Sequence, residues 1–474
     1  MRRFVSLPAL IVGALACNST LDEGRMPGEA AALPPSGGGS PEAPSANAGG
    51  DQPSTLPGVE LNGTPVRSRM VRLTHAQWEH SVRDVLGLDA DPGVTSSFTG
   101  DPPNGSFSNN ERALTVTPNL RLDYQRAAEE LSQRVARDPA ALARIFPGTD
   151  GSEFIASIGR RVYRRELTAD EQARYRALFD SGPSVFESGD ARADGAQLVL
   201  EAMLQSPHFL YRTELGADGA PLSGFEIAAK LSFLLRNTTP NDELLDAAAS
   251  GALDAPEGVL GVARQLLDAP DAVETLQRFH GELFGLDRYL SIAKDPAKFP
   301  QHDESVNPAL ARAEELFLEH LFRDGLGLEA LLTSTRAYAN AELAPFYGVE
   351  VSGDELQEVD LGPERPGLFT RLGFLAYNGT LRDPDSIHRG VEINRVMLCA
   401  RLQPPPGVIP ALPSIKPDQT NRERVSAHTG PGTCGESCHG TIINPIGFSF
   451  ENFDALGQLR DLDNGKPVDT SGQY

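Results

Sequence analysis

Apolar residues at helical spacing, opened by capping residues, recur through most of this chain and constrain its fold more than any other feature. In RLTHAQWEHSVRDVLGL, Thr74 and Gln77 are placed to form a capping box at the start of a helix. Trp78, Val82 and Val85 follow at intervals of three and four residues, which gives the helix one apolar face. Strand-like alternation is scarce before the last hundred residues. The sequence therefore predicts a mainly α fold.

The same pattern returns along the chain and predicts consecutive small helical modules. FIASIGRRVYRRELTADEQARYRALFD predicts one helix and then a second, which a capping box of Thr168 and Glu171 opens. The helix in LVLEAMLQSPHFLYRTEL should end near Ser206, because the residue before a proline avoids the α region. LRDLDNGKPVD predicts a short β-hairpin near the C-terminus, with Asn464-Gly465 in its turn. We place the helical modules at residues 70–148, 149–217 and 218–350, and a last module, which contains the CGESCH segment, at 363–474.

The N-terminus has the pattern of an export signal. Arg2 and Arg3 precede 13 uncharged, mostly apolar residues, which are too few to span a bilayer as a helix but fit the apolar region of a signal peptide. Ala14-Leu15-Ala16-Cys17 resembles a bacterial lipobox, so residues 1–17 are predicted to be a lipoprotein-type signal peptide with Cys17 lipidated. The alternative is a signal peptide with an unmodified cysteine. Either way we expect an exported protein of the cell envelope, periplasmic or held on the membrane by the Cys17 lipid.

Residues 18–69 are predicted to be a disordered linker. This segment contains PPSGGGSPEAPSANAGG, in which proline prevents regular structure and glycine and serine raise chain entropy. Such a linker would separate a folded body from a membrane surface.

The composition excludes several classes of function. With 65 acidic and 42 basic residues, the formal net charge is −23, and such a surface repels nucleic-acid phosphates. We therefore expect no nucleic-acid partner. The sequence contains no P-loop, dinucleotide fingerprint, HExxH or GxSxG motif, so it offers no support for a hydrolase or a nucleotide-binding enzyme.

The segment TCGESCHGTIINPIGFSFENFD carries the most specific chemical pattern. Covalent haem attachment needs two thiols and an imidazole directly after the second, as in Cys434, Cys438 and His439. Three residues separate the two cysteines instead of the usual two, but positions four apart on a helix still face the same way. Three interpretations stay open: haem c, a disulfide from Cys399 to one of these cysteines, or another metal site. Downstream, Phe448, Phe450 and Phe453 are either a wall for a flat cofactor or ordinary core residues.

Two charged clusters also invite functional interpretations. One cluster consists of arginines, which are able to bind an anion, but in so acidic a chain we predict that they pair with its own carboxylates; they are Arg160, Arg161, Arg164 and Arg165. A second cluster has residue types that bind metals. A di-metal site in a helix bundle would also need a Glu-x-x-His pair on another helix, and no such pair is evident. We predict that it forms a solvated helix face; it consists of Glu314, Glu315, Glu319 and His320.

Several segments together resemble one protein family: RLTHAQWEHSVRDVLGL, RRVYRRELTADEQ, LSGFEIAAKLSFLLRNTTPNDELLDAAASGAL, HRGVEINRVMLCARLQPPPGVIP and CGESCHGTIINPIGFSFENFDALGQLR. The chain resembles the exported proteins of planctomycetes and myxobacteria that are built from planctomycete cytochrome-c-associated domains of unknown function. The similarity covers roughly residues 70–470 as four consecutive modules. It implies a cytochrome-like protein with Cys434 and Cys438 as thioether positions and His439 as the proximal iron ligand. The long cysteine spacing departs from the usual motif, and family members usually continue beyond DTSGQY into another small module.

The leading hypothesis is a membrane-anchored electron-transfer protein with haem c, acting with an unknown redox partner of the envelope. For the distal side of the iron, Met397 is the first candidate, followed by His428 and His388. A haem-free binding or scaffold protein with a disulfide at the same cysteines is the main alternative. A haem-assisted oxidative enzyme on an exported polymer or carbohydrate is a third.

Overall fold

The computed structural model describes residues 69–101, 107–216, 221–402, 411–433 and 435–472. This part of the chain is mainly helical and contains three antiparallel two-stranded sheets, which confirms the predicted fold class. None of its helices has both the length and the apolar character needed to cross a membrane. The predicted signal peptide, nearly all of the linker, and Cys434 lie outside the described residues.

The first half of the body is an α-helical unit that a short sheet closes. Strand Arg69–Arg72 pairs with Tyr211–Glu214, so the two ends of this unit lie side by side. A single apolar core runs from Leu73 to Phe233 and contains the fully buried Trp78. The helices are His75–Leu86, Pro118–Arg137, Pro139–Ile145, Gly151–Tyr163, Ala169–Phe186, Ala191–Leu204 and Pro207–Leu210, with a 3-10 turn at Val94–Ser97.

Local sequence signals place the helix ends of this unit correctly. The capping boxes at Thr74 and Thr168 both form, with the Gln77 and Glu171 side chains returning to the capping backbone. Helix Ala191–Leu204 ends before the Ser206-Pro207 step, as predicted. These contacts span only a few residues, which is why the sequence alone predicts them.

The middle of the chain forms a small helical layer. Its core consists of Ala228, Leu244, Ala248 and Leu253. The helices are Gly224–Leu235, Asp242–Ala249, Pro256–Leu267 and Pro270–Phe284.

The last part of the body shares one apolar core that extends from Phe284 to Leu456. Its helices are Asn307–Arg323, Leu328–Thr333, Ala344–Tyr347, Leu372–Tyr377, Ser386–Met397, Asn421–Thr429 and Asn444–Phe448. Shorter turns are the 3-10 segments Leu286–Ser291, Glu304–Val306 and Leu368–Thr370, and a π-helix covers Glu436–Ile443. The strands are Arg336–Ala339 paired with Gln357–Asp360, and Leu462–Asp463 paired with Lys466–Pro467.

The C-terminal hairpin confirms the prediction from LRDLDNGKPVD. Asn464 and Gly465, at its turn, have φ angles of 48° and 78°. Both angles lie in the left-handed region that a tight hairpin turn requires, and these two residue types tolerate it best.

The arginine cluster largely pairs with the chain's own carboxylates, as predicted. Arg160 contacts Glu166 and Asp246, Arg161 contacts Asp242, and Arg165 contacts Glu171. Arg164 differs, because it is buried and donates hydrogen bonds to the main-chain oxygens of His208, Phe209 and Tyr211. The cluster therefore has a structural role.

The predicted solvated face on helix Asn307–Arg323 is wrong for Glu314, and the side chains of Glu319 and His320 are also largely covered, at 17 % and 10 % exposed; Glu315, at 35 %, is the most exposed of the four. Glu315 pairs with Arg312 at 2.9 Å and Glu319 with Arg323 at 2.7 Å, whereas Glu314 is only 2 % exposed. Within the described ranges, no three such residues converge as metal ligands. Glu314 follows Leu310 by four residues and precedes Phe317 by three, so the helical period already placed it on the buried stripe.

Candidate functional site

The cysteine–histidine segment adopts a π-helix, Glu436–Ile443, which contains Cys438 and His439. The wide turn shows in the hydrogen bond from the Asn444 N–H to the carbonyl of His439, five residues earlier. A π-helix accommodates more residues per turn than an α-helix and occurs often at functional sites. The irregular cysteine spacing thus coincides with an irregular helix.

Helix Ser386–Met397 holds this π-helix in place through small and polar side chains. The Nδ2 of Asn394 donates a hydrogen bond of 3.1 Å to the carbonyl of Ile442. A Cβ on Gly390 would come within 2.2 Å of the Ile443 oxygen, so only glycine allows the observed approach. The position of the segment therefore depends on this close backbone contact.

Arg389, on the same helix, fixes the chain that follows the site. Its guanidinium donates hydrogen bonds of 2.7 to 3.0 Å to the main-chain oxygens of Leu375, Phe450, Phe453 and Asp454. Burial lowers the pKa of Arg389 to about 10, so the side chain still carries its charge at neutral pH. A buried cation thus satisfies carbonyls that would otherwise lack hydrogen-bond partners.

A buried polar network positions the start of helix Asn421–Thr429, whose last turn carries His428. The Asn421 main-chain N–H donates to the Asp463 carboxylate at 2.6 Å, and its side chain donates to Glu451 at 2.8 Å. Arg460 bridges the two carboxylates at 2.9 and 2.8 Å. The aspartate that sequence analysis placed in a hairpin thereby also anchors this helix.

His439 is half-buried, and its Nδ1 is buried without a hydrogen bond of normal geometry. Burial lowers the pKa of His439, and the nearby charge of His428 adds to this effect, while the adjacent Asn444 opposes it. The imidazole is therefore neutral at neutral pH, which is the form that binds a metal.

The cysteines divide into a free thiol and a disulfide. Cys438 is a free, exposed thiol, and Cys399 is disulfide-bonded. A Cys399–Cys438 disulfide, one of the pairings considered from sequence, is therefore wrong. The cysteine bonded to Cys399 lies outside the described residues.

The three residues considered as distal ligands have different surroundings in the structure. His428 lies near enough to His439 to affect its pKa. Met397 is half-buried against the C-terminal core, and the Nδ1 of His388 donates a hydrogen bond of 2.6 Å to the Asp385 carboxylate. Phe448, Phe450 and Phe453 pack as ordinary core or against it.

The residues present fit a haem ligated by His439 and attached through Cys438. The fit rests on a neutral, half-buried imidazole directly after a free thiol. The second thioether requires that Cys434 be free of the Cys399 disulfide. The sequence named His439 and Cys438 as candidates, whereas the disulfide at Cys399 and the electrostatic effect of His428 on His439 emerge from the structure.

Four family models, each described as a protein of unknown function, match consecutive parts of the chain. They are PSD3 (DUF1587) at residues 72–137, PSD5 (DUF1595) at 151–214, PSD4 (DUF1592) at 222–349 and PSCyt3 (DUF1588) at 365–463. The cysteine–histidine segment falls within the last match. No curated protein and no solved structure matches the chain.

Proposed function

Because this chain belongs to the proteins built from planctomycete cytochrome-c-associated domains, four of which it carries in order, we propose that it is an exported electron-transfer protein of c-type cytochrome character. The observation that carries the proposal is the free Cys438 thiol directly before the neutral, half-buried His439. In this proposal Cys434 and Cys438 are the attachment points and His439 is the proximal ligand.

Each residue of the site has a defined task in this proposal. Haem c supplies reversible one-electron chemistry when it is bound, at a potential that its axial ligands and surroundings tune. His439 offers a nitrogen that burial keeps unprotonated, and the contacts of Gly390 and Asn394 fix its helix. For the second axial position the proximity of His428 supports it over Met397, and a histidine there would give a lower potential than a methionine.

We also propose that the protein is anchored to a membrane of the cell envelope through a lipid on Cys17, with residues 18–69 as the linker to the helical body. The support is the lipobox-like sequence at residues 14–17. Metabolic labelling with a fatty acid should label the full chain but not its Cys17→Ser variant. Equal labelling of both, or of neither, would refute the lipid anchor.

A pyridine haemochrome spectrum of the full chain, produced in a host with active cytochrome c maturation, tests the electron-transfer proposal. We expect a c-type band in the parent, a shift towards a vinyl-bearing haem in Cys438→Ala, and loss of bound haem in His439→Ala. His208→Ala, a half-exposed histidine of the N-terminal unit, should retain the parent spectrum. A colourless parent would reject haem binding.

The disulfide at Cys399 favours a second candidate, a haem-free envelope scaffold that the disulfide stabilises. A Cys399→Ala variant distinguishes the two. If the disulfide withholds a thiol from haem attachment, this variant should carry more covalent haem than the parent. If the protein is a scaffold, both should be colourless, and the variant should be less stable to denaturant, by about 2 to 5 kcal/mol.

A further inference from the structure

A cleft far along the chain from the cysteine segment has the chemistry of a separate ligand site. We propose that it binds an acidic saccharide, a short oligomer with carboxylate groups of the uronic-acid kind. The cleft has a volume of about 750 Å³ and lies between helices Pro270–Phe284 and Asn307–Arg323, with the turn Leu286–Ser291 beside them. This volume is within the range of about 300–1,000 Å³ that is usual for small-molecule sites.

Four arginines from four different elements converge on the cleft: Arg278, Arg288, Arg312 and Arg395. Three of them already pair with carboxylates, Arg312 with Glu315 and both Arg288 and Arg395 with Glu392, so a ligand carboxylate would have to share their donors. A guanidinium group has five N–H donors in a planar fork, which suits the two oxygens of a carboxylate. These arginines supply the anion-binding half of the site.

Glu392, behind the cleft, orients two of these arginines. It accepts a hydrogen bond from Arg288 at 2.9 Å and two from Arg395 at 2.5 and 3.1 Å. Burial would raise the pKa of Glu392, but the hydrogen bonds and charges of Arg395 and Arg288 hold it below its usual value. Glu392 therefore stays ionised and keeps the two guanidinium groups adjacent.

Carboxylates also line the cleft, namely Glu282, Asp287 and Glu315. Ser108 orients Glu282 with hydrogen bonds of 3.2 Å from its main-chain N–H and 2.5 Å from its hydroxyl. These acids accept hydrogen bonds from sugar hydroxyls, and they oppose the binding of a ligand with a high density of negative charge, such as a polyphosphate. Leu290, which is 56 % exposed in the cleft, offers an apolar contact for the C–H face of a sugar ring. A ligand with both carboxylates and hydroxyls fits this mixed lining better than a simple polyanion.

Isothermal titration calorimetry on the full chain tests the proposal, with trigalacturonate as the probe and neutral maltotriose as the comparison of equal length. We expect trigalacturonate to bind and its affinity to fall as salt is added, because the contacts are ionic. Maltotriose should bind at least about tenfold more weakly, since it cannot form the charge-assisted hydrogen bonds. Haem plays no part in this site, so the result is independent of the electron-transfer proposal.

Arg312→Ala should weaken trigalacturonate binding by about tenfold or more. Arg323→Ala is the matched control, because Arg323 lies on the same helix, is 57 % exposed, pairs with a carboxylate, and is outside the cleft. The Arg323→Ala variant should bind trigalacturonate with the affinity of the parent. Absence of trigalacturonate binding, equal binding of maltotriose, tighter binding of tripolyphosphate, or an equal loss in both variants would each overturn the proposal.

Discussion

Gly447 and the main-chain oxygen of Ser386 lie so close that a Cβ on Gly447 would be 1.8 Å from that oxygen. This contact joins the helix after the cysteine–histidine segment to helix Ser386–Met397, beside the similar contact of Gly390. Two closely packed backbones, rather than interlocking side chains, thus set the position of His439.

Gly447→Ala should destabilise the protein, because the added methyl group forces two packed helices apart. We expect a loss of about 1–3 kcal/mol in the free energy of unfolding, measured by urea denaturation. Gly440→Ala is the matched control, since a Cβ there would lie 3.7 Å from its nearest neighbour, the flexible Glu436 side chain. If both variants unfold at the same urea concentration, the close approach of Gly447 to Ser386 does not contribute to stability.

Arg389→Leu should also lower stability, because it leaves four buried carbonyls without their donor. The expected loss is about 3 kcal/mol or more, at the upper end of single-residue effects. Arg382→Leu, at a side chain that is 63 % exposed and ion-paired with Asp295, should change stability by less than about 1 kcal/mol. A small effect of Arg389→Leu on the denaturation midpoint would show that water replaces the guanidinium.

Glu314 should make the free energy of unfolding depend on pH between 4.5 and about 8. Burial raises its folded pKa to about 8, above the usual value of 4.5, so the folded state holds this proton more tightly than the unfolded state. The contribution to stability is full below pH 4.5 and is lost as the pH rises towards 8. Within this window the slope approaches about 1.4 kcal/mol per pH unit.

Glu314→Gln should remove this dependence and be more stable than the parent at pH 8, as measured by urea midpoints from pH 5 to 9. Glu315→Gln, at the exposed neighbouring position, should follow the parent curve. Parallel curves for the parent and Glu314→Gln would mean that Glu314 is not buried as a protonated acid.

The haem-free chain should expose one reactive thiol. Alkylation without reduction should modify Cys438 and leave Cys399 unmodified, because the former is a free thiol and the latter is in a disulfide. Mass spectrometry of the unreduced peptides should then identify the cysteine linked to Cys399, and a link to Cys434 would leave Cys438 as the single thioether position. A link to Cys17 would exclude the lipid anchor, and an alkylated Cys399 would exclude the disulfide.

The sequence predicted those features that neighbouring residues create. The capping boxes at Thr74 and Thr168 and the turn at Asn464-Gly465 form between residues at most three positions apart, so no distant contact is needed to specify them. The burial of Trp78 followed from helical spacing in the same way. The family resemblance, carried by five segments, was likewise confirmed by the four family models in order.

Contacts between distant segments decided the rest. Glu314 is buried because helix Asn307–Arg323 packs within a core that reaches Leu456, and His428 approaches His439 because a polar network fixes its helix from the far end. Composition and spacing do not specify which residues meet across such separations, since many pairings satisfy the same local pattern. Local propensity therefore set the helices, whereas burial and long-range hydrogen bonding set the charge states and neighbours on which the chemistry of this site depends.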